Sequence, residues 1–352
     1  MIARNSSFTY KGRVVDVRQI GRELGVRYVL EGSVRKASGR VRITGQLIEA
    51  TTGHHVWADR FDGDLADVFE LQDRVTESVV GAIEPSLRQA EIGRARAKST
   101  ASLDAYDCYL RSLHVFYQLT REGVEQSCEY LRLAIERDPH YALAKAHLAI
   151  NLLTLLLQGW GEPGHRARAL ELAQDAEKLD PDDPATLRCA GHALAFLGHH
   201  DRGLVLLEKA AALNGNGSQV LNSLGWVKTY VGVEPDQAIA HFQRAIRLSP
   251  RDPEMGLMLN GIALAHLIAG RSDQALIFAQ RCIDQSPRFL SGYRIKTAAL
   301  INLGRRQEAM AVAGVLLSYD PGFTISSRMP AIRDPDASRR YLDALRDAGL
   351  PD

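Results

Sequence analysis

Residues 218–250 read SQVLNSLGWVKTYVGVEPDQAIAHFQRAIRLSP: an apolar-rich segment, a break at Val231-Gly232, a second segment, and a stop at Pro250. In the second segment Ala238 and Ala245 are seven residues apart, so they fall two turns apart on one helix face. The same frame recurs on both sides. Ser127, Ala169, Gly203, Ala238, Ala275 and Ala309 each sit twelve residues before Pro139, Pro181, Gly215, Pro250, Pro287 and Pro321, at successive spacings of 42, 34, 35, 37 and 34. Seven residues after each small residue comes another compact or apolar one: Ala134, Ala176, Ala210, Ala245, Cys282, Leu316. Turns precede the small residue at Leu197-Gly198, Val231-Gly232, Ala269-Gly270 and Leu303-Gly304. The pattern predicts helix A, a tight turn, helix B and a helix-stopping residue, written about six times over residues 104–321. Small residues at the A/B crossing let the helices approach closely, and each pair needs a neighbour to bury its remaining apolar face. The fold class expected is mostly α, an α-solenoid.

Leu148-Ala149, Gly191, Leu224-Gly225 and the Asp/Ser-Pro pairs at five of the six repeat ends resemble the tetratricopeptide repeat family. The resemblance covers about two thirds of the chain. It implies that the A helices line a concave groove whose projecting side chains form the recognition surface. On that register the groove candidates are Arg188, His192, Gln219, Asn222, Trp226, Tyr230, Asn260 and Arg294. Tyr, Trp and Arg dominate interface energies, and amides satisfy an extended peptide's backbone, so a protein or peptide partner is expected. Trp226 and Tyr230 have a second reading, as packing between adjacent repeats. The two-Asn, two-basic arrangement that grips a C-terminal carboxylate in chaperone-binding relatives is not evident.

The totals set bounds. A chain of 352 residues, 45% hydrophobic and 24% charged, can bury a sizeable core and is expected to hold more than one domain. A formal charge of +1 gives no general argument for nucleic acid or an anionic membrane. Cys108, Cys128, Cys189 and Cys282 are far apart in repeat segments, which fits buried, reduced thiols in a reducing compartment. Residues 149–157 form an apolar run too short to span a bilayer, and MIARNSSFTYKG lacks a signal peptide's apolar core. A cytoplasmic protein with no membrane contact and no nucleic-acid partner is expected.

Residues 1–66 read differently. Asp16 caps a short helix in which Val17, Ile20 and Leu24 share a face, and Gly25 ends it. Residues 27–35 form a strand, 37–39 a hairpin turn, 40–48 a second strand and 54–61 a third, carrying Trp57. Val41, Ile43 and Leu47 face a core; Arg40, Arg42, Thr44 and Gln46 face out. Ile2-Ala3-Arg4 begins at a strand edge with nothing before it, so this α+β domain reads as N-terminally truncated. Residues 67–103 form a connecting helix and linker: Asp67 caps it, Val68, Leu71, Val75, Val79 and Ile83 make its buried stripe, Pro85 kinks or restarts it, and 94–100 is a linker or exposed helix end. The second repeat carries about eight extra residues between Leu157 and Arg166, including Trp160, which either covers an apolar patch or meets a partner. Residues 322–352 supply a capping segment with one more amphipathic helix.

IARNSSFTYKG (2–12), RELGVRYVLEGSVRK (22–36), VRITGQLIEATTGHHVWADRFDG (41–63), VFELQDRVTESVVGAIEP (68–85) and RRYLDALRDAGLPD (339–352) are similar to a bacterial architecture in which a TolB N-terminal-like domain precedes tetratricopeptide repeats. The resemblance is to the C-terminal regulatory region of rhizobial-type class III adenylate cyclase-like signalling proteins. It implies a cyclase or winged-helix domain upstream of Met1, so no catalytic residue carries over to this chain.

Other chemistry finds little support. There is no G-x-x-x-x-G-K-[ST] and no G-x-G-x-x-G after a strand; Asn214-Gly-Asn-Gly217 is a helix-ending turn. Asp59, Asp62, Asp64 and Asp67 lead into a helix N-terminus, favouring dipole compensation over calcium. His54-His55 lies in a turn before a strand, and His192, His199 and His200 have no cysteine or carboxylate at zinc spacing, so no metal or cofactor is expected. Residues 17–26 resemble half of a helix-turn-helix, but the strand formers that follow disfavour the second half. The expected function is a noncatalytic interaction or regulatory module binding a partner in the groove, with self-association as one form of partner. The rivals are a small-ligand sensor with a pocket between the N-terminal domain and the first repeats, and part of a longer nucleotide cyclase.

Overall fold

A computed structural model describes residues 10, 15–37, 39–64, 68–97, 104–231, 234–328 and 332–352. The expectations for Ile2-Ala3-Arg4, Ser38, Asp67 and residues 98–103 lie outside the described residues. The chain divides into two units, Met1–Glu91 and Ile92–Asp352.

In the first unit, helix α1 (Val17–Leu24) starts where the Asp16 carboxylate accepts from the Arg18 N–H at 2.8 Å, and ends at Gly25 with φ 63°. Strands β1 (Tyr28–Ala37), β2 (Arg40–Glu49) and β3 (His54–Asp64) form an antiparallel sheet in the order β1-β2-β3. The β2–β3 register shifts between Leu47 and Ile48, and both side chains are buried. A bulge breaks the strict two-residue alternation there. Val41 and Phe61 pack with Val75 and Val79 of helix α2 (Val68–Ala97), which runs unbroken through Pro85. Glu91 of α2 is buried and accepts from Arg27 at 2.7 and 2.8 Å and from the Tyr28 hydroxyl at 2.7 Å. The aspartates require a correction. Asp59, Asp62 and Asp64 lie on β3 rather than at a helix start, and Asp62 answers Arg42 across the sheet and Arg60 beside it, both at 2.7 Å. Antiparallel pairing with an arginine-bearing strand sets the role of Asp62. His54 and His55 are also within β3, not in the turn before it. Residues 28–35 lie within β1, which leaves α1 without a second helix of a helix-turn-helix.

The second unit holds the repeats as six helix pairs: α3 (Ala105–Phe116) and α4 (Arg121–Arg137), α5 (Ala142–Gln158) and α6 (His165–Leu179), α7 (Pro184–Phe196) and α8 (His200–Leu213), α9 (Ser218–Val231) and α10 (Pro235–Leu248), α11 (Met255–Ile268) and α12 (Ser272–Gln285), α13 (Leu290–Asn302) and α14 (Arg306–Tyr319). Helix α15 (Pro335–Asp347) follows. Asp104 and Asp107 form a capping box on α3, and Thr120, Asp183 and Asp334 cap α4, α7 and α15. Arg94 stands 3.5 Å from Asp107 and Ala95 is buried, so the end of α2 is a packed helix end rather than a linker. The turn glycines Gly198, Gly270 and Gly304 adopt φ of 109°, 73° and 73°, the left-handed region that ends a helix cheaply only for glycine.

The repeat logic is visible in burial. Ser127, Ala169, Gly203, Ala238, Ala275 and Ala309 are buried at the A/B crossings, as are Ala134, Ala176, Ala210, Ala245, Cys282 and Leu316. All four cysteines are buried and none forms a disulfide; burial pushes the Cys128 thiol to about 11 and that of Cys282 to about 12. In the fourth pair the ring of Phe242 on α10 reaches the backbones of two inner helices. A Cβ at Gly225 would stand 2.8 Å from that ring, and one at Gly261 2.2 Å. Gly261→Ala is therefore expected to destabilise the protein by about 1–3 kcal/mol through overpacking. Gly314, on α14 with open space around it, is the control. Gly314→Ala is expected to stabilise by about 0.5–1 kcal/mol. Urea midpoints at constant slope check both; a neutral Gly261→Ala would contradict the packing described.

Candidate functional site

The inner helices α3, α5, α7, α9, α11 and α13 all contribute to the wall of one cavity of about 260 Å3. Its lining runs from Phe116 to Arg346, entirely within the repeat unit. Helix α5 makes the wall close on itself. It is 17 residues long, whereas the other inner helices have 12 to 14, and the extra turn carries Gln158 at its end before Gly159 stops it at φ 75°. The Gln158 Oε1 accepts from Nη2 of Arg294 on α13 at 2.9 Å, across 136 residues of sequence. The second and sixth pairs thus meet, which fixes the curvature of the array.

The C-terminal segment enters that curve. Phe323, Ile325 and Ile332 are buried, the Arg328 guanidinium donates to the Gln158 carbonyl, and the Arg333 N–H donates to the Tyr230 carbonyl at 2.8 Å. The Ile325 N–H donates to the Pro351 carbonyl at 2.9 Å, pinning the segment to the chain's last residues. Helix α15 packs on α13 and brings Tyr341, Leu342 and Leu345 to the cavity. The stretch after Pro321 does more than cover the last pair: it lines the inner wall with polypeptide.

Of the eight groove candidates, Arg188, His192, Asn222, Trp226, Asn260 and Arg294 line this cavity. Gln219 and Tyr230 do not. Gln219 is buried with its Nε2 donating to Asp252 at 3.2 Å, and the Tyr230 ring packs between Phe196 at 4.4 Å and His200 at 5.6 Å. Trp226 does both jobs, lining the cavity while meeting Phe242 edge-on at 5.8 Å. Arg188 approaches the His147 Nε2 at 3.4 Å, Asn222 donates to Glu254 at 2.8 Å, and Asn260 donates to Ser291 at 3.0 Å. Trp160, in the inserted loop, packs on the apolar core beside α5, which is the covering role.

Gln158, Glu254, Arg328 and Tyr341 are among the lining residues that escaped the sequence reading. The extra length at Leu157–Arg166 signals the first, since an insertion beside an inner helix invites a contact across the groove. Arg328 and Tyr341 lie beyond the last repeat, where periodicity gives no register. Burial, with Arg294 alongside, pulls the Arg328 guanidinium below its ordinary value; burial does the same to Arg294. Asp320, at 3.4 Å from Arg328, is the carboxylate that answers them. Among the described residues no three His, Cys, Asp or Glu side chains gather where they could hold a metal ion.

No protein-family model matches the chain. Over 203 residues it is 40% identical to "Putative adenylate cyclase 3" of Rhizobium meliloti (strain 1021), a match taking in 57% of this chain and 35% of that protein. The chain thus matches about a third of its relative's length. Among solved structures, the human IFIT1 dimer with m7Gppp-AAAA is similar at a TM-score of 0.53 and 16% identity, covering 61% of this chain and 50% of that one. A monomeric IFIT1 mutant with Gppp-AAAA reaches 0.53 at 14% identity, covering 80% and 65%. At these identities the likeness is one of fold. The array is a tetratricopeptide-repeat α-solenoid, and a small α+β unit with a three-stranded antiparallel sheet precedes it. None of the described helices is long and apolar enough to cross a membrane.

The cavity makes a pH prediction. The His192 ring stacks on Phe196 at 5.0 Å and faces the enclosed space rather than bulk water. Burial, helped by Arg188, lowers its pKa from 6.5 to about 3. Below the ordinary value the unfolded chain takes up a proton that the folded chain refuses until about 3, so this contribution to stability is lost as pH falls through that window. His192→Phe is expected to flatten the fall in stability between pH 6 and 4 by up to about 1.4 kcal/mol per pH unit. Denaturation curves across that range check it, and parallel slopes for the two proteins would contradict it.

Proposed function

We propose that the chain is a noncatalytic regulatory module of a cytoplasmic bacterial signalling protein of adenylate cyclase-like architecture, and that it recognises a polypeptide on the concave wall of its repeats. One observation carries this reading: the wall already seats polypeptide. The Gln158 and Tyr230 carbonyls accept from the C-terminal segment's Arg328 side chain and Arg333 backbone. Apolar side chains on that segment, Phe323 and Ile325, also line the cavity. A partner segment of similar character, apolar residues alternating with hydrogen-bonding groups, would take the same contacts in place of residues 323–328 and 332–347. The relative's name supports the signalling context, and the match takes in 35% of that protein.

The full chain, probed against a peptide array, is expected to select a consistent apolar-polar motif. Trp226→Ala with Arg294→Ala is expected to cost about 2 kcal/mol or more of that binding, as central aromatic and arginine anchors do. Undiminished binding by a folded double variant would contradict groove recognition. Formation of cyclic AMP from ATP by the purified chain would contradict the noncatalytic reading.

A further inference from the structure

The polypeptide that lines the groove leaves part of it unfilled, and the groups around that space are unevenly satisfied. A guanidinium carries five N–H donors. Among the described residues, the Arg294 guanidinium has one acceptor, the Gln158 amide oxygen, and its Nε has none. Arg328 has the Gln158 carbonyl and Asp320 at 3.4 Å, and its Nε also has none. Both are nearly withdrawn from water: Arg294 is 7% exposed and the Arg328 side chain 8%. Two buried cations side by side, with one carboxylate at 3.4 Å from the second, are a costly arrangement unless another anion joins them. Arg188 lines the same cavity. Glu254 also lines it, but its carboxylate is engaged by Asn222 at 2.8 Å. Arg346 at the rim is tied to Asp343 and Asp352. Much of the remaining wall is apolar, with Ile150, Leu157, Phe196, Leu257 and Leu264 among its members, and Asn222, Asn260 and Ser291 interrupt it.

We propose that this cavity binds a small amphipathic anion, a carboxylate or phosphate monoester on a compact apolar body, clamped between Arg294 of the repeat wall and Arg328 of the C-terminal segment. The planar guanidinium fork matches both anionic groups in a bidentate manner. The apolar body fits against Phe196 and its neighbours. At about 260 Å3 the space falls just below the ~300–1,000 Å3 usual for small-molecule pockets, which restricts it to a compact ligand. Because the clamp spans two segments, the anion binds only when residues 323–328 lie in the groove. It would therefore stabilise that seat by mass action and oppose any polypeptide competing for it. The anion site shares the groove with the proposed polypeptide partner and stands without it.

The test uses the full chain with four probes: phenyl phosphate, 3-phenylpropanoate, inorganic phosphate and neutral 3-phenylpropanol. Calorimetry and melting curves are expected to show binding and a raised Tm with at least one of the two phenyl anions, and no comparable effect of inorganic phosphate or the alcohol. Preference between the phenyl anions tells phosphate from carboxylate. Arg294→Gln and Arg328→Gln, each confirmed folded by circular dichroism, are expected to weaken binding at least about tenfold. Arg328→Lys, which keeps the charge, is expected to retain part of it and serves if a glutamine variant does not fold. No binding by either phenyl anion, equal binding by the alcohol or inorganic phosphate, or unchanged binding by the folded glutamine variants would overturn the proposal. Array-selected peptides bound by a chain that ignores all four probes would leave groove recognition standing and end the anion site alone.

Discussion

The repeat unit depends on how closely the two helices of each pair can approach. Alanine, serine or glycine at the crossing, and a compact or apolar residue two turns on, set that distance in all six pairs. Close crossing fixes the tilt of each pair, and each pair passes that tilt to the next because most helix packing is between neighbouring pairs. The inner helices consequently turn about a common space. By the sixth pair the wall has come round far enough for Arg294 to reach Gln158 in the second.

That closure changes what the inner wall is. An open array presents its inner side chains to solvent; here Arg188, Asn222, Asn260 and Arg294 are 8% exposed or less, and a stretch of the same chain lines the cavity they share. The main-chain acceptors at Gln158 and Tyr230 are taken, while the Nε groups of Arg294 and Arg328 are left without acceptors among the described residues. Desolvated cations next to apolar walls store interaction energy that only an added anion or a rearrangement releases. The balance between seated segment, small ligand and outside polypeptide is where regulation by this unit would reside.

Much of this was legible in the sequence. The spacing of Ser127, Ala169, Gly203, Ala238, Ala275 and Ala309 is enough to place twelve helices and to put Arg188, His192, Asn222, Trp226, Asn260 and Arg294 on one wall. Gln219 and Tyr230 share that helix face by register, but neighbours claim them: Asp252 takes the first, and Phe196 with His200 the second. The aspartates of β3 were misplaced because a string of acids before a helix resembles a cap until the strand partner, with its Arg42, is known. The C-terminal contacts were beyond reach for a different reason. Nothing periodic links Arg328 or Tyr341 to α5, and a contact across some 170 residues is set by accumulated curvature, a sum of small rotations that no local pattern states.

In the free protein the C-terminal segment is seated in the groove. Native-state hydrogen exchange of the Arg333 backbone amide tests this most directly, because its acceptor is the Tyr230 carbonyl at the end of inner helix α9. Protection comparable to the amides of α13 is the predicted result. Exchange at the rate of an unstructured peptide, while α11 and α13 stay protected, would show an open groove and contradict the account.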